Sequence, residues 1–347
     1  MSVISCSSHA RRRADSGGIV PLRNAAVEIA GFKVEPGQRR LLDLPVADLY
    51  THAQLTMPVH VICGRLAGPT LFVTGAIHGD ELNGVEIIRR LLALNVLKRL
   101  KGTLLAVPVV NVHGFIHQSR YLPDRRDLNR SFPGQLSGSI TSRLARHVAS
   151  EIIDRSDYGI DLHTGAIHRT NLPQIRGDVD NDEVMRLARA FGAPVIIHSR
   201  LRDGSMREYA AEKGVSVLLY EAGEALRFDE LSIRAGLRGI RRVLATLGML
   251  GRPPPATRRR VEPVVSRRTS WVRAPISGVV NLRVQSGASV RKGTLLANVS
   301  DPFGETSVPV HSHCDGVIIG HVTLPLAHEG DALVLSLIHI SEPTRLN

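Results

Sequence analysis

The stretch TLFVTGAIHGDELNG, residues 70–84, decides the fold of this chain. Its first half is a continuous apolar run, typical of a strand that helices cover on both faces. The run passes through a Gly-rich turn into GVEIIRRLLALNVL, which has helical periodicity and predicts a helix that begins near Asn83. A buried strand joined by a short turn to a helix is the repeating unit of α/β folds.

The same alternation continues beyond this unit, and it predicts an α/β domain whose sheet is covered on both faces. A first strand is expected from Ala26 to Phe32, and a late helix from Asp229 to Leu247. The further strand patterns are LLAVPVV (104–110), YGIDLHT (158–164), PVIIH (194–198) and VSVLLYEAG (215–223).

A Pro- and Arg-rich stretch, Gly251 to Ser270, separates this region from a different one, and it reads as a linker. Beyond it, short Val-rich runs are interrupted by Gly, Pro and Asp, which predicts a small β domain. The closing residues SLIHISEPTRLN resemble a translated sequencing adapter. The predicted division is a loose tail (1–25), an α/β domain (26–250), the linker (251–270), a β domain (271–335) and a non-native tail (336–347).

Composition excludes several classes of protein. The 347 residues are 43% hydrophobic, which excludes a disordered or fibrous chain, and carry a net charge of +12, which suits an anionic partner. Only 4% are aromatic, so a nucleic-acid stacking surface is not expected. The three cysteines form no CxxC pair, and no long apolar run occurs, so we expect a soluble cytoplasmic protein without membrane or nucleic-acid partners. The sequence leaves open whether the protein forms a homo-oligomer.

Two strand ends carry side chains suited to a metal. His78 and Glu81 lie in the turn after the strand of residues 70–76, and His163 lies at the end of YGIDLHTG, residues 158–165. Strand ends of one sheet meet at its carboxyl edge, where ligands commonly bind. Two imidazoles and a carboxylate form the protein ligands of an open catalytic zinc site, although each alone is weak evidence. Asp161 could orient an imidazole by accepting a hydrogen bond from it, or it could have a purely structural role.

A third strand end supplies a carboxylate that could move protons. Glu221 follows the apolar strand Val215–Tyr220, whereas Glu224 is expected to begin the following loop. The loop SRYLPDRRDLNRSFPG, residues 119–134, is expected at the same edge and carries Arg120, Asn129 and Arg130. A guanidinium there could stabilise an oxyanion or hold a substrate carboxylate. For the loop's other two arginines we prefer an ordinary exposed role.

With these residues in place, the chain resembles the succinylglutamate desuccinylase and aspartoacylase family, which is related to zinc carboxypeptidases. HGDELNG, DLNRSFPG, DLHTG and YEAGE occur in the family's order, and the resemblance spans roughly residues 35–331. It implies a carboxypeptidase-like, three-layer α/β/α core with a mixed sheet, followed by a small C-terminal β domain of hammerhead or barrel type.

The resemblance also implies a set of residue roles and one Zn²⁺ per chain. The implied roles are zinc ligands for His78, Glu81 and His163, general base and acid for Glu221, oxyanion stabilisation for Arg120, and substrate-carboxylate binding for Asn129 and Arg130. The spacing of Arg120 to the Asp-Leu-Asn-Arg run is two residues longer than in aspartoacylase itself.

The activity that the resemblance implies is hydrolysis of the amide bond of a small anionic N-acyl amino acid. The alternatives are a metallocarboxypeptidase acting on peptides and a catalytically degenerate zinc-binding protein. The C-terminal region, residues 274–304, resembles domains that carry biotin or lipoate, but the hairpin that would bear the modified lysine reads ANVSDPFG and lacks one. This region is expected to shape the active-site cleft. His311, His313 and Cys314 are interpreted as structural rather than as a second metal site.

Overall fold

A computed structural model describes residues 22–251 and 262–338. In these ranges the helices are α1 Asn83–Leu92, α2 Val112–Ile116, α3 Ile140–Val148, α4 Asp182–Phe191, α5 Met206–Glu212 and α6 Glu230–Thr246. The strands are β1 Val27–Ile29, β2 Phe32–Val34, β3 Arg39–Asp48, β4 Gln54–Cys63, β5 Leu66–Gly75, β6 Lys101–Val107, β7 Tyr158–Gly165, β8 Arg169–Gly177, β9 Val195–His198, β10 Ser216–Glu224, β11 Val264–Ser266, β12 Arg268–Arg273, β13 Gly278–Leu282, β14 Ser289–Val290, β15 Leu295–Ser300, β16 Ser307–His311, β17 Gly316–Val322, β18 Leu326–Ala327 and β19 Ala332–Ile338. No helix in this part of the chain is long and apolar enough to cross a membrane.

One large mixed sheet organises the molecule, in the order β12-β19-β17-β8-β10-β7-β5-β6-β4-β3. The central strands β10, β7, β5 and β6 run parallel to their neighbours in this group, whereas β8, β4 and β3 are antiparallel additions. The predicted α/β fold with a mixed sheet is therefore confirmed.

Helices bury both faces of the central strands. On β5, Phe72 packs into a core shared with α3 and α5, while Leu71 and Val73 pack into a second core shared with α1, α4 and α6. Because successive side chains of a strand point to opposite faces, a strand covered on both sides must be apolar at every position. This is the physical reason for the continuous apolar runs in the sequence.

The turn after β5 is formed by an unusually close approach of two backbones. A Cβ built on Gly79 would lie 1.9 Å from the carbonyl carbon of Gly114, so only glycine fits there. The amide of Val110 donates to Gly75 O, and that of Asn111 donates to Ala76 O. These contacts fix the segment that carries His78 and Glu81.

The C-terminal strands extend the central sheet as well as forming a small sheet of their own. The start of β8 pairs with β17, through Asn171 opposite Gly320, while the end of β8 pairs with β9. Strands β19 and β12 follow β17, and β16, β15, β13 and β18 form a separate four-stranded sheet. The extra β region that the sequence predicts is thus joined edge to edge with the central sheet.

Several predicted boundaries fall inside ordered elements. The linker drawn over residues 251–270 contains β11, which pairs with β9, and the beginning of β12. The tail drawn from residue 336 begins inside β19, where Ser336 and Leu337 are fully buried. Residues 1–21, 252–261 and 339–347 lie outside the described residues, so the tails and the centre of the linker stay predictions.

Candidate metal centre and active site

The residues predicted to bind a metal lie together in the structure. His78, Glu81 and His163 are buried, and one potential ligand atom of each lies within 4.8 Å of the others. The Glu81 carboxylate lies between the two rings, with Oε1 2.7 Å from His78 Nδ1 and Oε2 2.9 Å from His163 Nδ1. This group could hold a metal ion.

Each imidazole is oriented by a carboxylate on its far side. His163 Nε2 lies 2.6 Å from Asp161 Oδ2, and His78 Nε2 lies 3.1 Å from Asp127 Oδ1. Asp161 accepts a further hydrogen bond from Thr74 Oγ1 at 2.8 Å. Carboxylates behind metal-binding histidines fix the ring orientation and the tautomer, leaving Nδ1 of each ring for the metal. Two imidazoles and one carboxylate suit zinc and leave a coordination position open.

The charges of the group stabilise one another. Burial tends to raise the pKa of Glu81, but the two adjacent imidazoles outweigh it and hold that pKa below its ordinary value. Burial tends to lower the pKa of His163, and Asp161 with Glu81 raises it well above the ordinary value. Burial likewise opposes ionisation of Asp127, whereas the hydrogen bond from His78 and the positive charge of Arg120 keep its pKa below the ordinary value. These carboxylates are therefore ionised at neutral pH.

Arg120 lies against the metal group. Its Nη2 donates to Asp127 Oδ2 at 3.0 Å, and its Nη1 lies 3.4 Å from Glu81 Oε1. Asp127 was not singled out from the sequence, although it opens the DLNR motif. It links Arg120 to His78 and also accepts the backbone N–H of Asn129 at 2.9 Å. One carboxylate thus positions the metal group and the loop.

Asn129 and Arg130 lie on the short helical turn Leu128–Arg130 and line the same cavity. The backbone N–H of Met206 donates to Asn129 Oδ1 at 2.9 Å, which leaves the amide N–H₂ of Asn129 available to a ligand. Burial lowers the pKa of the Arg130 guanidinium, because a desolvated cation is less stable than a hydrated one.

Glu221 lies beside His163, because the two residues are direct neighbours across the parallel strands β10 and β7. Its carboxylate is held by two residues of β8: Asn171 Nδ2 donates to Oε1, and Arg176 Nε lies 2.7 Å from Oε2. Sequence reasoning missed both partners, since only antiparallel pairing of β8 with β10 places them there.

The prediction that Glu224 begins a loop is wrong, because Glu224 is the last residue of β10. Gly223, with φ +74°, forms a bulge in β10, after which the strand resumes and Glu224 pairs with Gly165. The buried Glu224 carboxylate accepts from the His168 N–H at 3.1 Å and from Thr323 Oγ1 at 3.0 Å. It joins two segments of the fold, and it does not line the cavity.

A cavity of about 370 Å³ brings all the predicted site residues together. Its lining contains two carboxylates, Glu81 and Glu221, and six arginines. The arginines are Arg120, Arg130, Arg169, Arg176, Arg202 and Arg207. Only Arg120 and Arg176 form ion pairs with carboxylates of the described residues. Within the described residues, the other four arginines of the pocket therefore form no ion pair with a carboxylate.

The most deeply placed of these is Arg207 on α5, which is 8% exposed. Its guanidinium donates to Ser199 Oγ at 3.0 Å and to the Arg200 carbonyl at 3.3 Å. Burial lowers the pKa of Arg207 to about 10, and nearby Arg202 contributes to this shift. One sequence signal could have identified Arg207. Ser205 is a typical N-cap residue, and a helix that begins after it has Arg207 in its first turn.

Two other clusters differ from the buried centre. Asp178, Asp180 and His198 could also hold a metal, but Arg267 is already paired with Asp180 at 2.9 Å. His311 and His313 are exposed, and with Cys314 they do not form a group close enough for a metal within the described ranges. Here His313 Nε2 lies 2.8 Å from Ser270 Oγ.

Comparisons with known proteins identify the family of the chain. Residues 67–247 match the model of the succinylglutamate desuccinylase/aspartoacylase catalytic domain. N-alpha-acetyl-L-2,4-diaminobutyric acid deacetylase of Halomonas elongata is 27% identical over 316 residues, which cover 88% of this chain and 92% of the relative.

Solved structures give the same result. The product-bound ectoine utilization protein EutE (DoeB) of Ruegeria pomeroyi is 25% identical, with a TM-score of 0.76 and coverage of 92% of this chain and 98% of that one. A succinylglutamate desuccinylase/aspartoacylase of Rhodobacter sphaeroides, 23% identical, shares the fold with a TM-score of 0.74 over 87% of this chain and 95% of that one. Since the catalytic-domain match covers just over half of the sequence, the chain belongs to the succinylglutamate desuccinylase/aspartoacylase family.

Proposed function

We propose that this protein is a zinc-dependent deacylase that hydrolyses the amide bond of a small anionic N-acyl amino acid. One observation carries the proposal: a single cavity contains a buried His₂Glu group that could hold a metal ion, an adjacent strand-end carboxylate and several arginines that form no ion pair with the described residues. The Halomonas relative, a deacetylase of an N-acetylated amino acid, supports the same reaction class.

His78, Glu81 and His163 would hold the zinc ion. When bound, zinc supplies Lewis acidity that makes water a nucleophile near neutral pH and polarises a carbonyl group. The donor set fits this role, because it is buried, carries one negative charge and has a carboxylate behind each imidazole. The carboxylates fix both rings with Nδ1 directed to the same centre.

The reaction also needs a group that moves protons. Glu221 is the candidate, since it lies next to His163 and lines the cavity. It would accept a proton from the attacking water and deliver it to the amide nitrogen as that bond breaks. Asn171 and Arg176 hold the carboxylate in place for both transfers. Arg120, fixed by Asp127, would stabilise negative charge that develops on the carbonyl oxygen.

The charge of the cavity indicates the class of substrate. Asn129 and Arg130 would bind the α-carboxylate, with the amide and the guanidinium both donating. Apart from the proposed metal ligand Glu81 and the proposed base Glu221, the described residues that line the cavity include no carboxylate to pair with a cationic side chain. Four arginines that form no ion pair with the described residues therefore favour a substrate with net negative charge over one with an ammonium side chain.

The test is amine release from matched N-acetyl and N-succinyl amino acids, measured with zinc-loaded protein and with protein stripped by a chelator. We expect zinc-dependent release, fastest with N-acylated aspartate or glutamate and slow with N-acetyl-diaminobutyrate. Release of C-terminal residues from longer peptides would instead indicate a carboxypeptidase. Zinc-loaded protein that hydrolyses neither class would indicate a degenerate zinc-binding protein.

Two variants separate binding from chemistry. Glu221→Gln keeps the shape of the side chain and should retain zinc while turnover falls by about 10²–10⁴-fold. His163→Ala removes a ligand and should lose zinc. Glu221→Gln protein with a near-normal rate would refute the assignment of the base.

A further inference from the structure

A cation–aromatic pair in the wall of the cavity joins the α/β region to the C-terminal strands. Arg169 is the first residue of β8, and Trp271 lies on β12. The guanidinium carbon of Arg169 lies 5.2 Å from the centroid of the indole ring, and both residues line the cavity. At this distance the ring attracts the cation.

The backbone of Arg169 is fixed where the two regions of the chain join. Arg169 pairs with Val322 of β17, and the N–H of Thr323 donates to the His168 carbonyl at 2.9 Å. The buried Glu224 carboxylate links the residue before Arg169 to the end of β17, because it accepts hydrogen bonds from both His168 and Thr323. The position of the Arg169 Cα is therefore fixed by strand pairing, because Arg169 does not lie in a loop.

The guanidinium of Arg169 keeps its hydrogen-bonding edge available. Among residues 22–251 and 262–338, it forms no ion pair and no side-chain hydrogen bond, and its ring contact is with Trp271. A guanidinium has five N–H donors in its plane, a geometry that matches a carboxylate. A cation held in a cavity with its donors unused is suited to an anionic group of a ligand.

A second cationic region lies elsewhere in the cavity. The Met206 N–H at the start of α5 donates to Asn129 Oδ1 at 2.9 Å, which holds the loop of Arg130 against α5. Arg130, Arg207 and Arg202 therefore lie in adjoining segments, and all three line the cavity. They belong to the 119–134 loop, to α5 and to the segment before α5, whereas Arg169 lies beside the C-terminal strands. The cavity thus has two separate places for negative charge.

We propose that Arg169, held against Trp271, binds a second carboxylate of the substrate, in addition to the α-carboxylate at Asn129 and Arg130. This assignment rests on the proposed deacylase function and deepens it. The second carboxylate belongs either to the side chain of the amino acid or to a dicarboxylic acyl group. Both sources present the same planar anion to the guanidinium.

A matched substrate series distinguishes the two sources. N-acetyl-L-alanine has no second carboxylate, N-acetyl-L-glutamate has one on the amine side, and N-succinyl-L-alanine has one on the acyl side. For Arg169→Gln we expect kcat/KM to fall about 10–100-fold on whichever dicarboxylate the wild type prefers, and less than about threefold on N-acetyl-L-alanine.

Variants of the ring and a remote arginine complete the kinetic test. Trp271→Leu should lower kcat/KM on the same dicarboxylate about 3–10-fold, with Trp271→Phe as a milder change should the leucine variant not fold. Arg169→Lys keeps the charge but not the planar fork, so it should recover part of the loss. Arg267→Gln, which alters an arginine paired with Asp180 outside the cavity, should leave all three substrates unchanged.

Fluorescence supplies a readout that does not depend on turnover. Trp271 is the sole tryptophan of the chain, so its emission reports directly on this wall. Titration of the zinc-loaded protein with glutamate or succinate should change the emission with a saturable midpoint, whereas alanine should not. Arg169→Gln should abolish that change.

The outcomes separate this inference from the function on which it rests. Equal loss on all three substrates, or no loss on the dicarboxylates, would overturn the role of Arg169. So would wild-type emission that does not respond to either dicarboxylate. A saturable response in a protein that hydrolyses no acyl amino acid would support the carboxylate site while removing the deacylase function.

Discussion

Replacing Asp127 with asparagine tests how one carboxylate serves both the metal group and the loop arginine. In the structure, Oδ1 lies 3.1 Å from His78 Nε2, and Oδ2 accepts from Arg120 at 3.0 Å. Asp127→Asn keeps the size of the side chain but replaces one oxygen with an N–H₂ group. If the remaining oxygen faces His78, the new donor faces the donors of Arg120, so both contacts cannot be satisfied.

The magnitude follows from these two contacts. Loss of the carboxylate behind a metal-binding histidine should weaken zinc binding by about 10–100-fold, equivalent to about 1.4–2.7 kcal/mol. The Arg120 contact is charge-assisted, worth about 1.5–3 kcal/mol when buried. Arg120 is 31% exposed, so we expect the lower part of this range and a decrease in kcat of about tenfold at saturating zinc.

The comparison with Asp161→Asn makes the prediction specific. Asp161 contacts His163 and Thr74 but not Arg120, so that variant should weaken zinc binding and recover kcat once zinc is saturating. Asp124→Asn is the matched control on the same loop, since Asp124 bonds Thr141 and not the site. It should change neither zinc affinity nor kcat.

The assays are zinc competition with a chromophoric chelator and turnover of the preferred N-acyl amino acid across a zinc titration. Thermal melts of each zinc-loaded variant verify folding. If Asp127→Asn regained the full wild-type kcat at saturating zinc, the claim that Asp127 positions Arg120 would be wrong. If its zinc affinity were unchanged, the link from Asp127 to His78 would be wrong as well.

Three further results are expected. Arg176→Met removes the guanidinium whose Nε lies 2.7 Å from Glu221 Oε2, so kcat should fall about tenfold with little change in KM. If Arg176 had a purely structural role, the variant would instead show a lower melting temperature and an unchanged kcat. Glu86 has its pKa lowered to about 2, first by hydrogen bonds from Arg89 and then by Arg90, so its contribution to stability is present above pH 4.5 and is lost as the pH falls towards 2. Acid unfolding followed by circular dichroism should therefore show a shallower loss of stability over that range for Glu86→Gln than for wild type, and parallel curves would contradict the shift. Chelation of zinc should lower the melting temperature, because a ligand that binds only the folded state stabilises it, and a melting temperature independent of zinc would argue against occupancy of the buried centre.

Much of the centre could be read from local sequence, because its geometry depends on local rules. A continuous apolar run predicts a buried strand, and parallel strands of one sheet present their carboxyl ends at one edge. His78, Glu81, His163 and Glu221 each follow such a run, so their proximity requires only that the strands share a sheet. The loop of Asn129 and Arg130 could be placed at the same edge from its position after a strand, whereas the specific role of these two residues came from the motif resemblance.

The sequence did not predict the bulge at Gly223 or the true position of the boundary at Ser336, because both depend on strands that pair from distant parts of the chain. Gly223 suggested the end of a strand, yet its positive φ accommodates a bulge after which β10 continues to Glu224. Ser336 suggested the start of a foreign tail, yet β19 pairs Ser336 with Ser270 and buries it. In each case the decisive hydrogen bonds come from residues more than 50 positions away.

What the sequence by itself determined is the set of strand-end side chains and the α/β class, because hydrophobic periodicity and turn chemistry act over a few residues. The tertiary structure alone decided which residues complete the cavity. Along one edge β8 divides its pairing between β17 and β9, and this junction brings Trp271 beside Arg169. Along its other edge β8 pairs antiparallel with β10, which places Arg176 at Glu221. Contacts of this kind join segments about 45 to 100 residues apart, and their register is set by the packing of the whole sheet rather than by any local pattern.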